Sequence, residues 1–157
     1  MLTDKELDNV IIELAKSYRR AVRGARNHCS DPKRVGREAE KNWIESRLLE
    51  RVAGIVDRSA ITTVNGMGGG QTNFDAILDI RGREVWIELQ TSDYGGPRKN
   101  AQLHGQLIGF GFAGVNPHAD AVFYKIMADK VYKWTRKDAL RAAGKGVMDP
   151  PTVLAIS

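Results

Sequence analysis

Asp75, Glu88 and Gln90, with Glu40 upstream, are the residues whose types and spacing point to chemistry. Asp75 lies in Asn73-Phe74-Asp75-Ala76-Ile77-Leu78-Asp79-Ile80; Glu88 and Gln90 lie in Val85-Trp86-Ile87-Glu88-Leu89-Gln90. Two carboxylates held close at a half-buried position repel each other and are costly without a cation. A hard divalent ion such as Mg²⁺ takes oxygen ligands, commonly one or two carboxylates plus a substrate phosphate. The alternative is an exposed strand face with ordinary surface acids. Pattern alone leaves both open.

These residues need elements to position them. Both runs alternate with a period of two, which predicts strands. Phe74, Ala76, Leu78 and Ile80 fall on one face of the first; Asp75, Ile77 and Asp79 fall on the other. In the second, Val85, Ile87 and Leu89 alternate with Trp86, Glu88 and Gln90. Arg81-Gly82-Arg83-Glu84 supplies a tight turn, with Gly82 tolerant of positive φ. With Gly82-Arg83 as the loop, Arg81 pairs with Glu84, and Asp75 lies opposite Gln90 and diagonal to Glu88. Such neighbours are about 4.5–8 Å apart. A one-residue slip would put Asp75 and Glu88 on opposite faces. Upstream, a helix from about Val35 to Gly54 has Ala39, Trp43, Leu48, Leu49 and Val52 on its apolar side. Glu40 shares a helical row with Ile44 and Leu48 and turns inward, whereas Glu38 and Glu45 point outward. An inward acid among apolar neighbours needs a partner, either the metal site or a nearby arginine.

Asp75, twelve intervening residues and then Glu88-Leu89-Gln90 resemble the PD-(D/E)XK nuclease motif. A helix with Gly36-Arg37-Glu38-Ala39-Glu40 precedes the hairpin, and one bearing Gln102 and Gln106 follows it. That order, from about Val35 to Ala143, resembles archaeal-type Holliday-junction resolvases and the related VRR nuclease domain. The resemblance implies a restriction-endonuclease-like core and Mg²⁺-dependent hydrolysis of DNA phosphodiesters, with Mn²⁺ able to substitute. Branched DNA is one implied substrate; restriction- or repair-type nicking is the near alternative. Asp75 and Glu88 would ligate the metal, with Glu40 a further ligand and the Leu89 carbonyl an additional one. Gln102 and Gln106 would lie near the scissile phosphate, or serve only surface solubility. A junction resolvase would be a symmetric homodimer, since two opposed strands must be cut.

Two departures stand out. Phe74 replaces the motif's proline, and Gln90 replaces its lysine, which in the family helps position and activate the attacking water. Gln90 can orient a water through its amide but cannot act as a base. Lys99, in the next loop, is one source of the missing charge. A DNA-binding module with this fold and no catalysis is the different-class alternative.

The rest of the chain fits one domain of 157 residues: an N-terminal helix over 3–26, a core over about 35–143 and a tail over 144–157. Net charge is +5 and the pI about 9.5, which favours a polyanionic partner such as DNA. The lone Cys29 excludes an intramolecular disulfide and any multi-cysteine metal site. With no apolar run long enough to span a membrane and no signal-peptide pattern at the start, a cytoplasmic protein is expected. Thr3-Asp4-Lys5-Glu6 resembles a capping box, and Leu7, Val10, Ile11, Leu14 and Ala15 recur at helical spacing. The helix then turns basic at Lys16, Arg19, Arg20, Arg23 and Arg26. Cations near a helix C-terminus suit the macrodipole; they also suit DNA phosphates.

Ser59 to Val64 reads as a strand. The glycine-rich Asn65-Gly66-Met67-Gly68-Gly69-Gly70-Gln71-Thr72 lacks the Lys-Ser/Thr of a phosphate-binding P-loop. It is either a plain connection or, through Gly68 and Gly69, a close approach to a DNA backbone. Thr91 to Lys99 reads as a polar loop and Asn100 to Ala113 as a helix with Leu103, Leu107 and Phe110 on one side. Two strands follow, Asp120–Ile126 and Lys130–Trp134, then a helix capped near Thr135 and running to Ala143, then an edge strand, Val153–Ile156. The order implies an α/β fold with a mixed central sheet flanked by helices.

Overall fold

The computed structural model describes residues 2–45, 74–90, 97–111, 120–127, 129–146 and 150–156, without the side chains of 44, 45, 76 and 97–102. Among the described residues nine elements follow one another: α1 (Asp4–Arg26), α2 (Pro32–Glu45), β1 (Ala76–Ile80), β2 (Arg83–Gln90), α3 (Pro97–Gly111), β3 (Val122–Met127), β4 (Lys130–Thr135), α4 (Arg136–Lys145) and β5 (Thr152–Ala155). The expected Ser59–Val64 strand and the glycine-rich stretch with Gly68 and Gly69 lie outside the described residues.

The strands form one mixed sheet in the order β1-β2-β3-β4-β5. Only β2 and β3 run parallel; the other pairs are antiparallel. A parallel neighbour requires a crossover, and α3 supplies it. Each sheet face is covered by helices. Against one, Leu7, Ile11, Leu14, Tyr18 and Val22 of α1 and Val35, Ala39 and Trp43 of α2 pack on Leu78, Ile80, Val85, Ile87, Tyr124, Ile126 and Val131. Against the other, Leu103, Leu107 and Phe110 of α3 and Ala139 and Ala142 of α4 pack on Phe123 and Trp134. The period-two pattern feeds two cores, which is why β3 is buried along its whole length.

Several ends follow the local chemistry of the chain. Thr3 caps α1 in a reciprocal box: its hydroxyl accepts from Glu6 N–H (3.2 Å), and Glu6 Oε1 accepts from Thr3 N–H (3.1 Å). Thr135 and Asp138 do the same for α4. The Asp31 carboxylate accepts from Lys33 N–H (3.1 Å), so α2 begins at Pro32, ahead of the expected Val35. α3 likewise begins at Pro97, which places Lys99 in the first turn of a helix instead of a loop. Proline is favoured at the first helical position because its missing N–H has no partner there anyway. At Gly111, the last described residue of α3, a Cβ would stand 2.6 Å from Leu140 Cδ2 of α4, so the two helices meet through its bare backbone.

Two expectations are corrected. The hairpin turn is Arg81-Gly82, not Gly82-Arg83: both residues have positive φ (48° and 87°), and Ile80 pairs with Arg83. That is the twist a two-residue hairpin needs, and Asp79 Oδ1 braces it by accepting from Gly82 N–H (2.8 Å). Phe74 does not share a face with Leu78 and Ile80. It packs edge-on against Trp86 (4.7 Å) and Phe123 (5.3 Å) in the α3-side core. The tail is part of the sheet, since β5 pairs with β4 from Lys130↔Ala155 to Lys133↔Thr152. Among the described residues no helix is long and apolar enough to cross a membrane.

Candidate functional site

The corrected turn changes what Asp75 faces. Moving the loop back by one residue shifts the pairing by two, so parity is kept and Asp75 stays on the side of Glu88. The register Ala76↔Ile87, continued outward, sets Asp75 opposite Glu88 in place of Gln90. The ladder is irregular there. Asp75 N–H donates to the Ile87 carbonyl (3.0 Å), and Asp75 Oδ2 accepts from Leu89 N–H (2.7 Å). The Asp75 side chain thus takes a ladder bond that a backbone carbonyl would otherwise take. In an extended strand a residue's N–H and C=O point to the same neighbour, so the Leu89 carbonyl is directed to this edge as well.

Three elements deliver carboxyls to this edge. Glu40 comes from α2 and hydrogen-bonds Asp75; Asp75, at the entry to β1, in turn hydrogen-bonds Glu88 of β2. Among the described strands β1 is the outermost, and Asp75 at its entry is met from α2 and from β2 at once. Burial is the first cause of an upward shift in all three. Glu40 is pushed up to about 8, by burial and then by its hydrogen bond to Asp75 and the Asp75 charge. Asp75 rises to about 7, by burial and then by the charge of Glu88. Glu88 also rises to about 7, by burial and then by the charge of Glu40, against the pull of Lys125 and a hydrogen bond from Gln106. Tyr18 of α1 borders the cluster: burial raises its pKa first, then the charges of Asp75, Glu40 and Glu88, with Arg26 opposing.

Most expected site residues within the described set therefore meet. Glu40, Asp75, Glu88 and the Leu89 backbone converge, and Gln106, only 1% exposed, reaches Glu88 from α3. Gln90 is buried near the end of the same strand. The side chains of Lys99 and Gln102 lie outside the described residues. Of the basic run on α1, Arg20, Arg23 and Arg26 are exposed and Arg19 is half-buried. Lys125 is the residue the sequence reading missed. It faces Glu88 directly across the β2–β3 pair and is 9% exposed. The available signal was a lone lysine inside an otherwise apolar strand, Val122-Phe123-Tyr124-Lys125-Ile126-Met127.

The donor set is chemically suited to a hard cation. Three carboxyls and a carbonyl offer only oxygen, and the carboxyls are held where each raises the proton affinity of another. Among the described residues no group of three or more acids, histidines or cysteines stands in ready-made ligand geometry. The acids are linked pairwise by shared protons, and one divalent ion could replace those protons. No family model, curated protein or solved structure matches the chain.

Proposed function

We propose that the protein is a metal-dependent endodeoxyribonuclease with a restriction-endonuclease-like core, hydrolysing DNA phosphodiesters at the Glu40–Asp75–Glu88 cluster. The observation that carries this reading is the convergence of three half-buried carboxyls from α2, the entry to β1 and β2 at one end of the β1–β2 pair. Acids drawn together away from water are normally matched by arginine or lysine; here, among the described residues, three acids meet the adjacent Lys125. Asp75, Glu88 and the Leu89 carbonyl would hold Mg²⁺ or Mn²⁺, with Glu40 a direct or water-bridged ligand. When bound, the ion lowers the pKa of a water and offsets charge on the phosphate. Gln106 fixes Glu88 from α3, and Gln90 lies two residues on, where its amide can orient a water. The exposed arginines of α1, together with the net charge of +5, supply a basic surface for the DNA backbone. Cutting paired strands of a branched substrate would use a homodimer.

The test is cleavage of a labelled four-way junction, a plain duplex and single-stranded DNA with Mg²⁺, Mn²⁺ or chelator, comparing wild type with Asp75→Ala and Glu88→Ala. Metal-dependent cutting lost in both variants supports the reading, and the preferred substrate selects junction resolution or nicking. Salt-sensitive binding in every lane with no cutting by wild type replaces it with a DNA-binding module whose catalysis was lost at Gln90.

A further inference from the structure

We propose that Lys125 is a positioning residue of this site: from β3 it sets beside Glu88 the fixed positive charge that Gln90 does not carry. The inference rests on the nuclease reading and on geometry that stands apart from the motif. β2 and β3 are parallel, and Glu88 and Lys125 are register partners. Neighbouring strands lie about 4.8 Å apart, and partnered side chains rise from the same face. That face is the α3 side, because Trp86 and Phe123, each two residues back on its strand, both pack there. Gln106 descends on the same spot from α3. Lys125 is therefore enclosed by the sheet, α3 and Glu88 instead of reaching into water. A lysine at the motif position would sit two residues after Glu88 on the same strand and the same face. Lys125 reaches that face from the next strand, one strand spacing away.

The arrangement has two effects of opposite sign. An ammonium beside Glu88 competes with a divalent ion for that carboxylate, so it weakens metal binding. The same charge stabilises negative charge that develops on a phosphate at the site, so it speeds cleavage. A lysine that only filled space would give neither pattern; its loss would loosen the fold and weaken binding and cutting together.

The experiment measures Mn²⁺ affinity by titration calorimetry and duplex or junction cleavage on the same samples, for wild type, Lys125→Met, Lys125→Arg and the double variant Lys125→Met/Gln90→Lys. Lys125→Met should bind Mn²⁺ about 5-fold tighter and cut about 100-fold more slowly. Lys125→Arg should keep most activity, and Gln90→Lys should restore at least about 10-fold to the Lys125→Met protein by returning the charge from the adjacent strand. Unchanged affinity and cutting in Lys125→Met, or parallel loss of both with a fall in Tm, would overturn the proposal. If wild type cuts nothing with either metal, the nuclease reading fails by itself. The Mn²⁺ titration then still decides Lys125: tighter binding by Lys125→Met upholds it as the fixed charge of a cation site, and unchanged or weaker binding rejects it.

Discussion

The two ends of β2 treat buried charge in opposite ways. At its start, the Arg83 guanidinium donates to the carbonyls of Leu2 and Asp120 and to the Asp4 carboxylate, each at 3.0 Å, with the Asp120 carboxylate 3.4 Å from Nε. One buried cation meets two acids that reach solvent. A second closed set lies nearby: Asp8 accepts from Tyr124 Oη (2.7 Å) and from Lys133 Nζ (2.9 Å). At its far end, β2 carries Glu88 into a cluster of three acids against Lys125, and burial and mutual repulsion raise all three carboxyls. The first end matches its cation with two acids, though Arg83 Nε makes no hydrogen bond. At the second, among the described residues, three carboxyls face the one ammonium of Lys125.

The sharpest way to break the contrast is to remove the acid at its centre. Asp75→Ala should lower metal-dependent cleavage about 1,000-fold while changing Tm little, since relief of the repulsion with Glu88 offsets the ladder bond lost from Leu89 N–H. Arg83→Met should do the reverse. Loss of the guanidinium takes a donor from the Leu2 and Asp120 carbonyls and costs about 1–3 kcal/mol, read as a lower urea midpoint, while the protein that remains folded still cuts.

The pH response separates the ends further. The three acids hold protons in the fold up to pH 7–8, against 3.8–4.5 ordinarily. Their contribution is full at low pH and is lost as pH rises through about 7 and 8. Calorimetric scans of metal-free protein should therefore show Tm falling from pH 5 to pH 9, with Mn²⁺ restoring more at pH 8 than at pH 5. Glu40→Gln should flatten the fall. The smallest effect belongs to the exposed arginines of α1, which join neither end. Arg20→Gln and Arg23→Gln should each reduce the salt slope of DNA binding by about 0.9, with no change in folding. An unaltered slope would remove α1 from the DNA surface.

What the sequence disclosed depended on range. Thr3-Glu6 and Thr135-Asp138 were readable because a cap is completed within four residues. The alternation of β1 and β2 was readable because one face of each strand feeds a core. The turn was misplaced by one residue because Arg81 bears a positive φ that its side chain does not advertise. Parity survived the error, so Asp75 stayed on the side of Glu88, although its expected opposite, Gln90, gave way to Glu88. Phe74 was put on the wrong face because the ladder departs from regularity at Asp75, where a carboxylate takes a backbone's bond. Lys125 was invisible as a site residue for a different reason. Its neighbour Glu88 is set by a parallel pairing across a crossover, and nothing local to either strand encodes that register.

α1 also sets a schedule for making the molecule. Its anchors are far away in the chain: Asp4 is tied to Arg83, and Asp8 to Tyr124 and Lys133, 79, 116 and 125 residues on. At ribosomal speeds of about 5–20 residues per second, roughly 6–25 s pass between the synthesis of Asp8 and of Lys133. For the last part of that interval α2, β1 and β2 have been made, but β3 and β4, which complete the cover, have not. The apolar stripe of α1, Leu7, Ile11, Leu14, Tyr18 and Val22, is then only partly covered, a surface that a chaperone would shield.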